Sequence, residues 1–574
     1  MVNTEYSNLG TKVLQGISVV PGAVNGSVVW FRRGPELPRR EYKIKVEDRP
    51  AELDRFHEAL DYVVESLQEQ LKDLTGVPAD IVRSTIDLVK DRGWVGPAER
   101  DISAGMTAEA ATGHQIARFV ELLERRGGFA VERATDLRDV GDRVGRRLQG
   151  ITEPIMPELS SDSILVAEEL APVDIASIDP SSIGGLATVR GGLTGHVSVI
   201  ARQFGIPCIT GVTGLTELSE GTPVLLDGVR GLLISEPDSS MVRHRLASDE
   251  RHRHQVESWE GPAKTRDGVS LQLMANVQDD MTVMEAVERK VDGVGLFRTE
   301  LCFINRSTEP SVEEQAAIYE NVFRQFGNNV TIRTLDSGSD KPLKFANTGR
   351  EENPALGMRG VRIGLQHQDI LLRQLDAIAL AAERAGLTPD NPPRVMAPMI
   401  SRVSEARRFA SMVRQRGMVP GIVVEVPATA IMMESFMPEV DFCSIGTNDL
   451  SQYTMAADRL SSDLFELTDP WQPAVLQLIN SVIKTANKAG KPVSICGESA
   501  GDPYLAQVYV GMGVDSLSMA TNSIPEVGVI LEKWDYEQYR SLADAVLEAE
   551  GAHHARRIAE EFFKRHKELE QKIA

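Results

Sequence analysis

Cysteine is scarce in this chain. Its four copies, Cys208, Cys302, Cys443 and Cys496, are scattered and form no C-x-x-C pair, which suits reduced thiols in a cytosol. Long apolar runs are missing as well. No stretch approaches the roughly 20 residues a membrane helix needs, and the start, M-V-N-T-E-Y-S-N-L-G, has no apolar signal core. Positive charge is in deficit: 62 Lys and Arg against 83 Asp and Glu leave a net charge of −21. Phosphate backbones and anionic membranes need clustered cations, so neither nucleic acid nor a membrane surface is an expected partner. A small anionic substrate is still admissible, because a few arginines in a cleft reverse the local field. What is left is a cytoplasmic protein of ordinary globular composition, long enough for about three or four domains.

Residues 12 to 32 alternate apolar and polar around G16-I-S-V-V-P-G-A-V-N-G26, a pattern of strands and turns. Between 50 and 150 the period changes. Leu53, Phe56, Leu60, Val63, Leu67, Leu71 and Leu74 recur at spacings of three and four, which predicts a long amphipathic helix. The stripe repeats in Ile116, Phe119, Leu122 and Leu123, and again in Leu137, Val140, Val144 and Leu148. Strand-like segments resume at S-I-L-V-A (163–167), at A-T-V (187–189) and from Pro223 to Ser235. One α/β domain interrupted by a helical bundle accounts for this order. A charged, helix-like connector follows over 238–262. His252 and His254 within it are two apart, do not share a helix face, and read as solvated rather than metal-binding.

From residue 270 onward, apolar strand-like segments alternate with helical stretches. They are Leu271–Val277, Gly293–Phe297, Val330–Leu335, Arg394–Met399, Ile422–Val426, Phe442–Gly446, Val493–Cys496 and Ser516–Met519. Eight in sequence predict a closed (β/α)8 barrel, whose chemistry belongs at the carboxyl ends of the strands. Those ends carry Arg298, Arg333, Glu425, Asn448, Asp449 and Cys496, with Arg359 and Arg459 in nearby loops. Several arginines in one mouth repel each other unless an anion of high charge sits among them, and guanidinium matches phosphate or carboxylate oxygens bidentately. The alternative is a rim network in which each arginine pairs with a carboxylate. Glu425 and Asp449 are suited to share a Mg2+ with water and substrate oxygens. The Cys496 thiol is either a small core group or a proton donor to a carbanion.

One segment stands apart. In G191-G-L-T-G-H-V-S-V-I-A-R-Q-F-G, glycines free the backbone for a turn, and His196 begins a predicted helix whose inward stripe is Val199, Ile200 and Phe204. A helix start favours an anion. His196 there reads either as a nucleophile toward a phosphoryl group or as a capped, partly exposed histidine.

The motifs G-G-L-T-G-H-V-S-V-I-A-R, G-L-F-R-T-E, I-R-T-L-D-S-G-S-D-K, E-E-N-P-A-L-G-M-R, V-E-V-P-A, S-I-G-T-N-D-L-S-Q-Y and C-G-E-S-A-G-D, in this order, resemble enzyme I of the phosphoenolpyruvate-dependent sugar phosphotransferase system. The resemblance spans nearly the whole length, including G-I-S-V-V-P-G and E132-R-A-T-D-L-R-D-V-G141. It implies a swivelling phosphohistidine α/β domain at 1–37 and 151–237, interrupted by a helical HPr-binding subdomain at 38–150. A helical linker at 238–262 and a phosphoenolpyruvate-binding, dimerising barrel at 263–574 complete it. It further implies that phosphoenolpyruvate, with Mg2+ on Glu425 and Asp449, phosphorylates His196, and that Cys496 protonates the enolate of pyruvate. Arg298, Arg333 and Arg459 match substrate-clamping arginines, and Asn448 and Asp449 match further substrate contacts; Arg359 joins them from the same mouth. Phosphorylated His196 then serves the carrier protein HPr, and the family is homodimeric.

Departures from the family pattern fall at Gly195, where T-S-H is usual; at Ser337 and Ser339, in place of D-I-G-G-D-K; and at Ala171, where relatives often carry threonine. Related dikinases and synthases need a nucleotide-binding domain, for which the chain offers neither room nor a glycine-rich phosphate loop. A nitrogen-type paralogue or a decayed regulatory binding protein are the alternatives to a sugar-uptake enzyme.

Overall fold

The computed structural model describes residues 11–32, 43–72, 74, 76–126, 129–151, 156–176, 178–191, 196–304, 306–338, 343, 345, 351–459, 464 and 466–573. The chain divides near residue 252 into two compact units. In the first, eight strands form one sheet: β1 (Val13–Gln15), β2 (Ile17–Val20), β3 (Ala23–Phe31), β4 (Ser163–Ala167), β5 (Gly185–Thr188), β6 (Cys208–Thr210), β7 (Pro223–Asp227) and β8 (Leu232–Ser235). Their order is β1-β8-β7-β3-β4-β5-β6-β2, with β3 to β6 parallel and antiparallel strands on both sides. β4 and β5 are buried along their whole length, which is why their sequence runs are apolar without alternation. β6 is a three-residue strand just after Pro207, too short to register as a pattern.

Between β3 and β4 the chain makes five helices, α1 (Arg49–Leu71), α2 (Gly76–Val89), α3 (Arg92–Ala104), α4 (Ala108–Arg126) and α5 (Phe129–Leu148). The expected stripes of α1 and α5 bury together: Phe56, Leu60, Val63 and Leu67 share a core with Leu137, Val140, Val144 and Leu148. Leu122 departs from expectation and is 47% exposed, because α4 turns Ile116, Val120 and Leu123 inward. After α6 (Pro172–Ala176) comes α7 (His196–Phe204), where Val199 is the second correction. It is 41% exposed, and the inward stripe runs instead through Val197, Ile200, Ala201 and Phe204. These four keep the helical spacing, whereas Val199 lies about 100° around the helix from Ile200. α8 (Ser239–Glu257) is the polar helix expected of the connector.

The second unit holds a closed barrel of eight parallel strands: β9 (Gln272–Val277), β10 (Val294–Arg298), β11 (Val330–Arg333), β12 (Arg394–Ala397), β13 (Val419–Val424), β14 (Phe442–Ile445), β15 (Val493–Ile495) and β16 (Ser516–Met519). β16 pairs with β9 to close the ring. Side chains alternate along each strand. Leu296, Met396, Val423, Phe442 and Cys496 fill the interior, while Ala275, Phe297, Ile332, Val395, Ile422, Ile445 and Leu517 pack outward on the helices. β13 starts at Val419, three residues before the expected Ile422, because Val419 to Ile422 pair with Arg394 to Ala397. Pro420 and Gly421 hide that start, being poor strand formers. Gly421 has its own reason: a Cβ there would collide with the Phe442 ring that plugs the barrel.

In the first unit, one buried charge ties the helical insertion to the sheet domain. Arg143 on α5 is 4% exposed; its Nε donates to Asp139 Oδ2 at 2.7 Å and its Nη2 to Asp174 Oδ1, on α6, at 2.6 Å. Arg143→Leu would leave two buried carboxylates without their cation. The expected loss is about 3–5 kcal/mol in the unfolding of that unit, read from its denaturant midpoint. Adding Asp139→Asn and Asp174→Asn to the same chain is expected to recover most of it.

Candidate active site

The carboxyl end of the barrel collects most of the residues singled out in the sequence. Arg298 ends β10 and Arg333 ends β11, and the two are direct partners in the strand register. Glu425 follows β13, and Cys496 follows β15 with its amide bonded to Ile445 O at 3.0 Å. Asn448 and Asp449 lie in the first turn of the helix Thr447–Thr454, immediately beyond β14. Gly446, between that strand and helix, is required by closeness: a Cβ there would lie 2.8 Å from Glu425 Oε2. The barrel alternation and the short loops thus aim all of these side chains at one basin.

Within the basin the arginines are tied into an ion network. Arg359 donates from Nη2 to Asp336 Oδ2 at 2.9 Å and from Nη1 to Asp449 Oδ1 at 3.0 Å, with Tyr453 Oη at 3.3 Å. Arg333 donates from Nη2 to Glu300 Oε1 at 2.6 Å and approaches Asp336 at 3.4 Å. Arg459 stands 3.7 Å from Asp449. The rim-network reading therefore holds for Arg333, Arg359 and Arg459. Arg298 differs, since it has no carboxylate partner among the described residues. The Nε of Arg333 is also buried, with no hydrogen-bond partner among the described residues. Two cationic donors, side by side at the ends of neighbouring strands, are thus unpartnered among the described residues.

The carboxylates respond unequally. Burial would raise the Asp336 carboxyl, but Arg333 and Arg359 more than offset this and hold it below the usual carboxylate range. Glu425 goes the other way and is pushed up to about 8, by burial first and then by the charges of Asp449 and Asp336; Arg333 and the Met399 N–H, 2.6 Å from Oε1, only partly counter this. Burial likewise lifts the Cys496 thiol above its ordinary value and keeps it protonated. The basin therefore combines fixed cations, a neutral S–H and a carboxyl that holds its proton near neutral pH. Among the described residues no three metal-type side chains converge to enclose an ion. Glu425 with Asp449 fits the pattern of a cation that takes one or two carboxylates and fills its shell with water and substrate oxygens.

Asp336, Glu300, Tyr453 and Asn276 were not among the candidates read from the sequence. Glu300 stands in the same F-R-T-E motif as Arg298, and Asp336 three residues after Arg333. Nothing in their spacing distinguishes a network partner from a rim carboxylate. Tyr453 donates to Ala355 O, and Asn276 Nδ2 donates to Cys496 O at 3.2 Å. In the first unit, His196 heads α7. Its side chain, together with Gly192, Thr194, Gly195 and Ser339, lies outside the described residues. Of the other departures, Ala171 is fully buried and its N–H lies 3.2 Å from Asp174 Oδ2, while Ser337 is buried with its carbonyl accepting from the Gly360 N–H at 3.2 Å.

Residues 252–536 match the family model described as "PEP-utilising enzyme, PEP-binding domain". Residues 159–231 match "PEP-utilising enzyme, mobile domain", and residues 15–133 "PEP-utilising enzyme, N-terminal". The phosphoenolpyruvate-protein phosphotransferase of Streptomyces coelicolor is 37% identical over 551 residues, 95% of this chain and 98% of that protein. The chain belongs to this family. Two further phosphoenolpyruvate-protein phosphotransferases agree: that of Haloferax volcanii, 37% identical over 94% of this chain and 97% of its own, and that of Bacillus subtilis, 33% identical over 88% and 92%. Relatives bearing the phosphotransferase name thus cover both units, the sheet with its helical insertion and the barrel alike.

The raised Glu425 has a consequence for this phosphotransferase as a folded chain. Folded, it holds that proton up to about pH 8; unfolded, it releases it near the ordinary 4.5. Over this window the folded state binds more protons, so stability without divalent cations is expected to fall as pH rises, by at most about 1.4 kcal/mol per unit. Urea unfolding in chelator across the window checks this. Glu425→Gln is expected to remove the slope, and an unchanged slope would contradict the assignment.

Proposed function

We propose that this chain transfers the phosphoryl group of phosphoenolpyruvate to its own His196, releases pyruvate, and passes the group to the histidine of the carrier HPr as the first step of sugar phosphotransferase uptake. The observation that carries the reading is the pair of unspent cationic donors, Arg298 and Arg333 Nε, beside a protonated thiol in one basin. Phosphoryl transfer asks a protein chiefly for alignment and charge neutralisation. Arg298 and Arg333 bind the substrate's phosphoryl and carboxylate oxygens; Arg359, Arg459 and Asn448 fix its position. Glu425 and Asp449 would hold Mg2+, which when bound adds positive charge beside the phosphoryl oxygens.

His196 attacks as neutral imidazole, which its ordinary pKa of about 6.5 permits near neutrality. It begins α7, whose first-turn amides favour an anion and suit the phosphoryl group once acquired. The bond from phosphorus to the enol oxygen breaks as the bond to nitrogen forms, leaving the enolate of pyruvate. Cys496 delivers its proton to the methylene carbon. The histidine lies in the sheet domain (1–37 and 151–237) and the donor in the barrel (263–574), so the reading requires motion about the 238–262 linker. HPr docks on the helical insertion (38–150), and two chains associate through their barrels in the cytoplasm.

Incubation with labelled phosphoenolpyruvate and Mg2+ is expected to give an acid-labile phosphoryl group that is absent in His196→Ala. No incorporation into the unsubstituted chain would favour a decayed binding protein. Cys496→Ala is expected to bind phosphoenolpyruvate normally while turnover collapses; equal loss of both would make the thiol structural. Because Arg298 has no carboxylate partner among the described residues, Arg298→Leu is expected to weaken phosphoenolpyruvate binding about tenfold to a hundredfold, the range for a lost charge-assisted hydrogen bond. Its thermal stability should be unchanged.

A further inference from the structure

In the helical insertion, one recess is lined by arginines that the fold itself does not use. Arg143, Arg146 and Arg147 stand at i, i+3 and i+4 near the end of α5, so all three share one helix face. Tyr62 and Ser66, four apart on α1, meet them across a recess of about 280 Å3 counted to its open mouth. Arg143 is committed to Asp139 and Asp174. Arg146 is not. It is only 9% exposed, and among the described residues its one side-chain hydrogen bond runs from Nε to Asp142 O at 3.4 Å, leaving both Nη groups without an acceptor. Arg147 lies over the Tyr62 ring, 4.2 Å from its centroid, and it too has no carboxylate partner among the described residues. The Ser66 hydroxyl likewise has no hydrogen-bond partner there.

We propose that this recess binds a phosphate group, free or carried by a small molecule, between Arg146, Arg147 and the Ser66 hydroxyl. A buried arginine is almost never left without a carboxylate, and the same helices obey that rule elsewhere: Arg55 on α1 holds Glu52 at 2.8 Å and Glu109 at 2.7 Å. Basic residues in a last helical turn complement the dipole. That accounts for their charge but not for their placement, since Arg147 is spent on a ring and Asp142 O lies inside the helix rather than among its last four carbonyls. One guanidinium fork saturates the two oxygens of a planar carboxylate. A tetrahedral phosphate has oxygens left for a second guanidinium and a hydroxyl arriving from other directions. The stack on Tyr62 holds Arg147 ready for that role. An anion there would join α1 to α5 beside Arg143, the residue that ties the insertion to α6. The recess belongs to the first unit and shares no residue with the basin of the barrel.

Amide hydrogen exchange of the full chain, followed by mass spectrometry, reads this recess separately from the barrel, because a bound ligand slows local opening where it binds. Peptides from α1 and α5 are expected to exchange more slowly, and saturably, as inorganic phosphate or glycerol 3-phosphate is added; the lower midpoint tells free phosphate from a phosphate monoester. Acetate at equal ionic strength is expected to leave them unchanged. Arg146→Leu is expected to raise the midpoint about tenfold to a hundredfold, the range for a lost charge-assisted hydrogen bond. Arg147→Gln, at an exposed position, is expected to raise it about tenfold, and it decides the matter if Arg146→Leu does not fold. No slowing by either phosphate in the unsubstituted chain overturns the proposal. So does equal slowing by acetate, which would be plain screening of like charges, and so does an unchanged midpoint in Arg147→Gln.

Discussion

The buried contact of Asp336 with Arg333 and Arg359 is the constraint around which the second unit is arranged. Taking a guanidinium out of water costs several kcal/mol, and both of these arginines are only 13–14% exposed. Such groups persist only if each finds a carboxylate at hydrogen-bond distance. Asp336 serves both at once, Glu300 takes Nη2 of Arg333, and Asp449 takes Nη1 of Arg359. Three loops on different strands are thereby pinned to one point. Remove that point and the basin loses its walls before it loses any reacting group.

The network also explains why Glu425 behaves unlike its neighbours. Arg333 is already committed to Glu300 and Asp336 and only partly offsets the negative charge of Asp449 and Asp336, so Glu425 sits in a dry place with one amide to support it. It relieves this by holding a proton. The basin is then slightly positive as built, and an incoming dianion meets donors already in place. A divalent cation would displace the proton and turn the same carboxyl into a ligand. On the proposed role of Glu425 and Asp449, metal binding and proton release are coupled by the local charge balance.

How much of this was legible beforehand follows from the physics of each signal. The eight barrel strands announce themselves because buried parallel strands must be apolar, and their last residues can be read off as site candidates by the architecture alone. Arg298, Arg333, Glu425 and Cys496 were legible on that ground. Asp336 and Glu300 were not: they act by pairing across loops, and loop geometry leaves no period. Periodicity also overreaches at stripe edges. Leu122 and Val199 are apolar and near the right spacing, yet each lies just around the helix from the buried face. For Val199 the exposure places an apolar side chain on the turn that follows His196.

On the proposed reading of Cys496, the interior layer below the barrel mouth belongs to the chemistry above it. A proton donor must be neutral before the step and charged after it, so its surroundings have to tolerate both states. A fully apolar plug would favour the neutral state so strongly that the proton would never leave. A fully polar one would ionise the sulfur in advance and leave nothing to donate. Placing Leu296, Met396, Val423 and Phe442 around the sulfur, with the charges of Arg333 and Arg298 nearby, sits between these limits. Those cations cost the neutral thiol little, and their pull grows only as charge arrives on sulfur. An interaction that strengthens as the charge develops is the kind that speeds a reaction rather than merely tightening binding.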